Sequence, residues 1–462
     1  MIPFLDWPSF NQLLPLLPLV ATTFTALTLF GLDEDHRQLR TGLNLAGAGL
    51  NLLFVAIMLW GIYHQQSYGV SLSLGAGLAL TLRPDTLSMF FTALSALLWL
   101  ITTVYAVGYL ADSPQRRRFF GFFGLCVTAT MGLAMAGNLF TFFVFYEMLT
   151  LVTYPLVVHR GDAASLRAGG IYLRYTLGGG ALLLVGLVAL HALVGPQAFR
   201  EGGFVGELAV EQPVVATVIF WLLIIGCGVK AALFPLHGWL PTAMVAPAPV
   251  SALLHAVAVV KAGAFGITRV VFEVFGAEAV SNLGVDVWLA TLAAITILYG
   301  SWCALGQQDI KRRLAYSTVS QVSYITLGVA LAGPLGAVGG IVHLVHQGLM
   351  KITLFFCAGN YATALGIKRV DQLDGVGLRM PLTTAAFTLG AFGMIGAPPL
   401  AGFVSKWYLG LGSLEAQQPW LLVVLALSTL LNAAYFLPLV GRVWFAPPPS
   451  PVAAVPASGP RH

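Results

Sequence analysis

The sequence predicts an all-α polytopic membrane protein of about thirteen transmembrane helices, and three observations carry that prediction. Apolar residues make up 58% of the 462-residue chain and charged residues only 9%, too few for the surface of a soluble protein of this size. Apolar runs recur at the length of roughly 20 residues that a helix needs to cross about 30 Å of hydrocarbon. Nearly all charge falls in the short stretches between those runs, which leaves no room for a soluble domain. The net charge of +5 is therefore a topological signal, and no nucleic-acid partner is expected.

Taken in order, residues 1–9 contain no basic n-region, and no cleavage-type site follows, so the first apolar run is expected to be a retained helix. The expected spans are 10–32, 42–63, 86–110, 119–136, 138–158, 170–193, 214–240, 248–272, 286–305, 313–332, 336–363, 381–412 and 419–445. Loops placed alternately on two sides sort the basic residues. Arg37, Arg40, Arg116, Arg117, Arg118, Arg160, Arg167, Lys311, Arg312, Arg313, Lys368, Arg369, Arg379, Arg442 and Arg461 fall on one side, against Arg83, Arg200 and Arg269 on the other. The positive-inside rule makes the first side cytoplasmic, with the N-terminus outside and the C-terminus in the cytoplasm. The expected location is a bacterial-type inner membrane. The proline-rich tail, 446–462, has no apolar run and is expected to be disordered.

Two spans carry prolines in their middles: Pro235 in the seventh, and Pro398 with Pro399 in the twelfth. A proline inside a helix removes a backbone hydrogen bond and clashes with the preceding turn, so helices 7 and 12 are expected to be broken. Irregular backbone at membrane depth is tolerated only against protein or a wet cavity. Breaks five spans apart suggest two five-helix repeats, 119–272 and 286–445, after an N-terminal three-helix segment, 1–110.

Five basic residues remain unassigned to loops, Arg174, Lys230, Lys261, Lys351 and Lys406, all within expected spans, and Glu147 is the single acidic residue well inside one. A charged side chain at the bilayer centre costs roughly 2.5–3.5 kcal/mol on insertion scales, so the lysines mark function or buried pairing. One carboxylate cannot neutralise four of them. Unit charges about 4 Å apart interact by roughly 4 kcal/mol at an effective dielectric of about 20. Making and breaking a Glu147–Lys230 contact would thus switch the lysine between holding and releasing a proton. His237, just past Pro235, and His255 lie between Lys230 and Lys261 in the chain, as stations on a hydrated proton path would. In HLVHQGLMKITLFFCAGN, His343 and His346 share a helical face and Lys351 lies about 80° round from His343, so a local unwinding is expected to bring all three to one pore. Lys406, beyond the second break, is the natural exit group. Arg174 lies close enough to the end of its helix to snorkel.

There is no Walker loop, no GxGxxG after a strand, no HExxH and no haem motif, and no metal or cofactor is expected. Cys126, Cys227, Cys303 and Cys357 lie in apolar runs without CxxC spacing and read as small core residues. Energy must then come from an ion gradient or a partner.

The runs FFVFYEMLTLVTYPLV, GVKAALFPLHGWLPTAMVAPAPVSALLHAVAVVKAG, DIKRRLAYSTVSQVSYI, HLVHQGLMKITLFFCAGN and GAPPLAGFVSKW resemble those of the antiporter-like proton-translocating subunits. That family is shared by respiratory complex I, membrane-bound hydrogenases and Mrp-type sodium/proton antiporters, and the D-type component of the Mrp antiporters is the nearest resemblance. The resemblance implies two inverted five-helix repeats, each with a half-channel, joined by a polar axis at the membrane midplane. It implies that Glu147 is the glutamate of helix 5, Lys230 the lysine of the first broken helix and Lys261 the central lysine. His343, His346 and Lys351 would form the bridge, and Lys406 would be the lysine of the second broken helix. Two departures stand out. Gln347 occupies a position where many relatives have histidine, so the bridge here relies on water or on His346. The spans end at thirteen where most relatives have fourteen, which is expected to affect docking more than conduction.

The expected function is a proton-translocating subunit of a hetero-oligomeric membrane complex that exchanges H+ for a cation, Na+ being the candidate. The alternatives are the proton-pumping subunit of a redox-driven enzyme, which would not be catalytic by itself, and the proton-coupled subunit of an inorganic-carbon uptake complex.

Overall fold

The computed structural model describes residues 8–75 and 77–448, so all of the expected tail beyond 448 lies outside the described residues. Thirteen helical spans follow one another within them: Leu16–Gly31, Arg37–Tyr63, Thr86–Tyr109, Arg116–Ala134, Leu139–Val157, Ala163–Val194, the interrupted seventh, Ala248–Phe275, Val285–Leu305, Ile310–Ala330, Pro334–Leu365, the interrupted twelfth, and Trp420–Phe445. We number them spans 1–13. Nine of them are long and apolar enough by themselves to cross a membrane.

The span starts are chemically marked. Asp85, Asn138, Asp162 and Asp309 each accept a backbone N–H three residues on, at 2.7, 2.7, 2.7 and 2.8 Å, which satisfies donors that a helix start leaves free. Proline opens spans 7, 11 and 12, where its missing N–H costs nothing.

Span 7 runs as Pro213–Lys230, breaks, and resumes as Trp239–Thr242 and a short 3-10 turn, Ala243–Val245. Span 12 runs as Pro381–Ile395, breaks at Gly396 (φ 87°) and resumes as Ala401–Glu415. Both breaks contain a cis X–Pro bond, Phe234–Pro235 and Pro398–Pro399. Span 8 contains two π-helical stretches, Leu253–Val257 and Val270–Phe275, around an α-helical middle. Its most apolar window is entirely buried, against a third of the corresponding windows of spans 2 and 6. Span 8 is thus the axial helix, while Leu27, Trp60, Val185, Trp302 and Leu430 are among the large apolar side chains exposed on the periphery, where lipid would meet them.

One element departs from an all-helical chain. Residues Val70–Gly75 (β1) and Leu78–Leu82 (β2) form an antiparallel hairpin between spans 2 and 3. The period-2 alternation of VSLSLGAGLALTL is the signal for it.

The loops converge at two ends. At one, the 1–2 loop meets the 3–4 loop through Arg37–Asp112 and Glu34–Arg116, and the 9–10 loop meets the 11–12 loop through Ile310 N–H to Lys368 O (3.0 Å) and Val370 N–H to Gln308 O (2.8 Å). At the other, β2 meets the 4–5 loop, which meets the 6–7 loop (Phe199 N–H to Gly137 O, 2.9 Å), and that loop meets the end of span 8 (Phe204 N–H to Val274 O, 2.9 Å). Loops of alternate parity therefore occupy opposite ends, as thirteen successive crossings require.

Candidate functional site

Lys230 is the last residue before the break in span 7 and is fully buried. Its ammonium donates to the carbonyl of Tyr146 on span 5 and stands 3.3 Å from the centroid of the Tyr146 ring. The Tyr146 hydroxyl donates back to Gly226 O at 2.8 Å, so the ring is locked to span 7 while it carries the lysine. Glu147, the next residue, is within electrostatic reach of Lys230, but the two form no ion pair. The carboxylate leans against span 6, where a Cβ at Gly180 would lie 2.6 Å from its carboxyl carbon, and its Oε1 has no partner among the described residues.

Lys261 lies in the middle of span 8, fully buried, and donates to Leu344 O on span 11 at 2.7 Å. Lys351, on span 11, donates to Ser317 Oγ (2.7 Å) and Leu314 O (3.1 Å) on span 10. His343 Nδ1 pairs with Ser405 Oγ on the second half of span 12 at 2.8 Å. Lys406 donates to Ile395 O (2.7 Å) across the break and to Thr429 Oγ1 (3.1 Å), 5.4 Å from the ring of Tyr324. Each ammonium is thus held by carbonyls and hydroxyls and none by a carboxylate, which solvates the charge without neutralising it.

Span 11 is one uninterrupted helix of 32 residues. The unwinding expected to gather His343, His346 and Lys351 into one pore does not occur, because the span 11 side chains are received by different neighbours. His343 faces span 12 and Lys351 faces span 10. They are joined instead through Lys261, which is within electrostatic reach of both; His343 is likewise within reach of His346 and Lys406, and His255 of Lys351. His237 stands apart, with its ring against Tyr299 (5.0 Å between centroids) and Tyr316 (6.2 Å). Arg174 is exposed and donates to Gly170 O, clear of the buried lysines.

Several buried polar atoms in these spans have no partner among the described residues: both ring nitrogens of His255, His237 Nδ1, His343 Nε2, His346 Nδ1, both amide atoms of Gln347 and Gln321 Oε1. A buried polar atom left unsatisfied costs about 1–3 kcal/mol, so these atoms are places where bound water would be stabilising. Gln347, between His346 and Lys351 in sequence, is buried.

Sequence reasoning missed the hydroxyl scaffold. Ser317 receives Lys351 and lies 2.8 Å from the Tyr435 hydroxyl; Tyr324 donates to Ser428 (2.7 Å), which also meets Ser301 (3.4 Å), itself 2.8 Å from Ser320. The signal was present in span 10, where STVSQVSY places small polar residues on every side of an otherwise apolar helix. Also missed was a buried ion cluster near the opposite loops. Arg269, 1% exposed, pairs with Glu273 and with Asp85 (2.7 Å) and donates to Ser88 Oγ (2.6 Å), which ties span 8 to the start of span 3.

An apolar groove of about 730 Å3 opens beside Lys406 between the second half of span 12 and span 13, lined by Trp407, Leu411, Leu414, Leu425 and Leu430 among others. It leaves the last lysine at the edge of the helical core, whereas Lys230 and Lys261 are enclosed.

The family described as the transmembrane part of NADH:quinone oxidoreductase and Mrp antiporter subunits matches residues 136–432, which hold every buried lysine of this line. The chain belongs to that family. It is 37% identical over 373 residues to the N component of the NADH-quinone oxidoreductase of Desulforudis audaxviator, covering 79% of this chain and 73% of that one. It is 26% identical over 426 residues to the D component of the Na(+)/H(+) antiporter of Bacillus subtilis, covering 90% and 84%. A chain in the structure of the Mrp complex from Dietzia sp. superimposes with a TM-score of 0.85 at 26% identity, over 96% of this chain and 82% of that one. The chain is a multi-pass membrane protein of this family.

Proposed function

We propose that this chain is a proton-translocating subunit of a larger membrane complex and that it exchanges protons for a cation, with Na+ the candidate. The observation that carries the reading is the line of bases, Lys230, Lys261, His343 and Lys351 buried and Lys406 at the edge of the core, held by carbonyls and hydroxyls and interspersed with unsatisfied polar atoms. In this reading Lys230 and Glu147 form the uptake end. Lys261 and the span 11 residues His343, His346 and Lys351 form the middle, with His255 beside Lys351, and Lys406 is the exit. His237 belongs to the wall near the first break. Protons move by transfer between neighbouring bases and water, and the Glu147–Lys230 separation sets whether the lysine holds its proton.

The same reading divides the chain into the three-helix segment 1–110 and five-helix repeats 119–272 and 286–445 with opposed orientation, each with one broken helix. It places the protein in a bacterial-type inner membrane with the arginine-rich loops in the cytoplasm and the N-terminus outside. Support for membrane-subunit partners and for sodium comes from relatives, among them a chain of the Mrp complex and a component of a Na(+)/H(+) antiporter. The identity to the N component of an NADH-quinone oxidoreductase favours a second reading, the same proton path driven by a redox partner.

The test is proton flux in vesicles reconstituted with the complex. Lys230→Ala and Glu147→Ala are expected to abolish it with assembly of the complex intact. Unchanged flux in both variants would sink the proton path, and sodium-independent flux in the wild type would transfer the proposal to the redox-driven reading.

A further inference from the structure

At the end of the molecule that carries the basic loops, a cavity of about 400 Å3 opens among spans 3, 7, 8, 10 and 11. Its wall includes Arg160, Lys311, Arg312 and Lys368, with Asp309 the single carboxylate. Four cations, from two loops and the first turn of span 10, thus share one concavity.

Their partners are few. Arg160, Arg312 and Lys368 form no ion pair among the described residues, and hydrogen bonds there engage only the backbone N–H groups of Arg312 and Lys368, not the side chains of the three. The Lys311 ammonium donates to Ala246 O at the floor of the cavity. Asp309 does not neutralise the group, because one carboxylate faces four cations and its Oδ1 already accepts the Arg312 N–H as the cap of span 10. Elsewhere at this end of the molecule several basic side chains are paired: Arg37 with Asp112, Arg116 with Glu34, Arg369 with Asp371 and Arg442 with Asp374. Other arginines at this end without an ion pair among the described residues, Arg117, Arg167 and Arg379, are spread singly over the exposed surface, whereas these four cations share one cavity.

We propose that this cavity is a binding site for a phosphate-bearing anion, held by the guanidinium groups of Arg160 and Arg312 and the ammonium groups of Lys311 and Lys368. Guanidinium forks match the geometry of phosphate oxygens, and a concave wall of one sign concentrates a counter-ion. The neutral and small residues completing the wall, Thr242, Gly359, Ala362 and Thr363, leave room for such a group. The anion is either a soluble phosphate compound or the headgroup of an acidic lipid. The site is separate from the buried lysines of the proton path and does not depend on that reading.

The test titrates pyrophosphate into the detergent-purified full-length protein by calorimetry, with ionic strength held constant by chloride. Saturable binding is expected. Arg160→Gln with Arg312→Gln should weaken it at least tenfold, and Arg312→Lys should retain most of it; both arginines are exposed, so folding is expected to survive. Native mass spectrometry of protein from phosphatidylglycerol-containing membranes then separates the sources. Retained acidic lipid that pyrophosphate displaces assigns a headgroup, and pyrophosphate binding without lipid release assigns a soluble anion. Heat effects that do not saturate, or equal affinity in the doubly substituted and wild-type proteins, overturn the site.

Discussion

Tyr146 does two things at once. Its carbonyl and ring face hold the Lys230 ammonium while its hydroxyl fastens span 5 to Gly226, so the lysine rests on a support fixed at both ends. The neighbouring Glu147 has only the missing side chain of Gly180 to thank for its place, since a Cβ there would lie 3.0 Å from Oε2. Arg269 is the other residue on which much turns. Buried at 1% exposure, it compensates Asp85 and Glu273 together. Removing one partner of a buried ion pair typically costs 3–5 kcal/mol, because the remaining charge stays buried without compensation. Asp85 keeps some solvent contact, at 36% side-chain exposure, so the low end applies here. Arg269→Ala is expected to lose about 3 kcal/mol of stability, read as a lowered midpoint of thermal unfolding in detergent. An unchanged midpoint would show that the cluster is held by something other than the ion pairs.

At the scale of the element, glycine decides how closely the spans can approach. Spans 10 and 11 meet at Gly328 and Gly340, where a Cβ on Gly328 would lie 2.7 Å from the Gly340 Cα. Spans 7 and 8 meet at Gly263, where a Cβ would lie 2.7 Å from the Lys230 backbone carbon. Small residues at such crossings let helices gain van der Waals contact that a lipid environment does not otherwise reward. The Lys351–Ser317 bond at 2.7 Å depends on the first approach. Gly340→Leu is expected to destabilise the protein by at least about 1–3 kcal/mol of overpacking. It should also lower proton flux in whatever protein still assembles. Wild-type flux and melting in that variant would mean that the close approach is incidental.

At the scale of the whole molecule, the described residues cross between two ends thirteen times around span 8, whose most apolar window is entirely buried. The line of bases runs through that centre and leaves it only at Lys406, beside the groove against span 13. Loops of alternate parity lie at opposite ends, which gives a direct check on orientation. With the four cysteines replaced, Ser113→Cys in the 3–4 loop should react with a membrane-impermeant maleimide only from the cytoplasmic side. Glu201→Cys in the 6–7 loop should react only from outside. Labelling of both from one side would contradict the thirteen-span traverse, and exchange of the two sides would reverse the proposed orientation alone.

Much of this was legible in local sequence. Hydropathy marks each span because a helix satisfies its own backbone and must show apolar side chains to lipid, so span identity depends on no distant residue. Pro235 and the Pro398–Pro399 pair announced both breaks, since proline acts on its own turn. Lys230, Lys261, Lys351 and Lys406 stood out for the same reason: a charge within an apolar run is anomalous wherever it points. What these residues bond to was decided only by tertiary structure. Lys261 rests on Leu344 O, 83 residues away, His343 on Ser405, 62 away, and Arg269 on Asp85, 184 away. No periodicity relates such pairs. Backbone carbonyls and serine hydroxyls also carry no hydropathy signal, although they are what holds every ammonium here. The sequence by itself thus determined that four lysines lie within the apolar spans of a bundle with two broken helices. The packing of spans 5, 8, 10, 11 and 12 alone determined that His343 and Lys351 face different neighbours and meet through Lys261, because a straight span 11 cannot turn both toward one side.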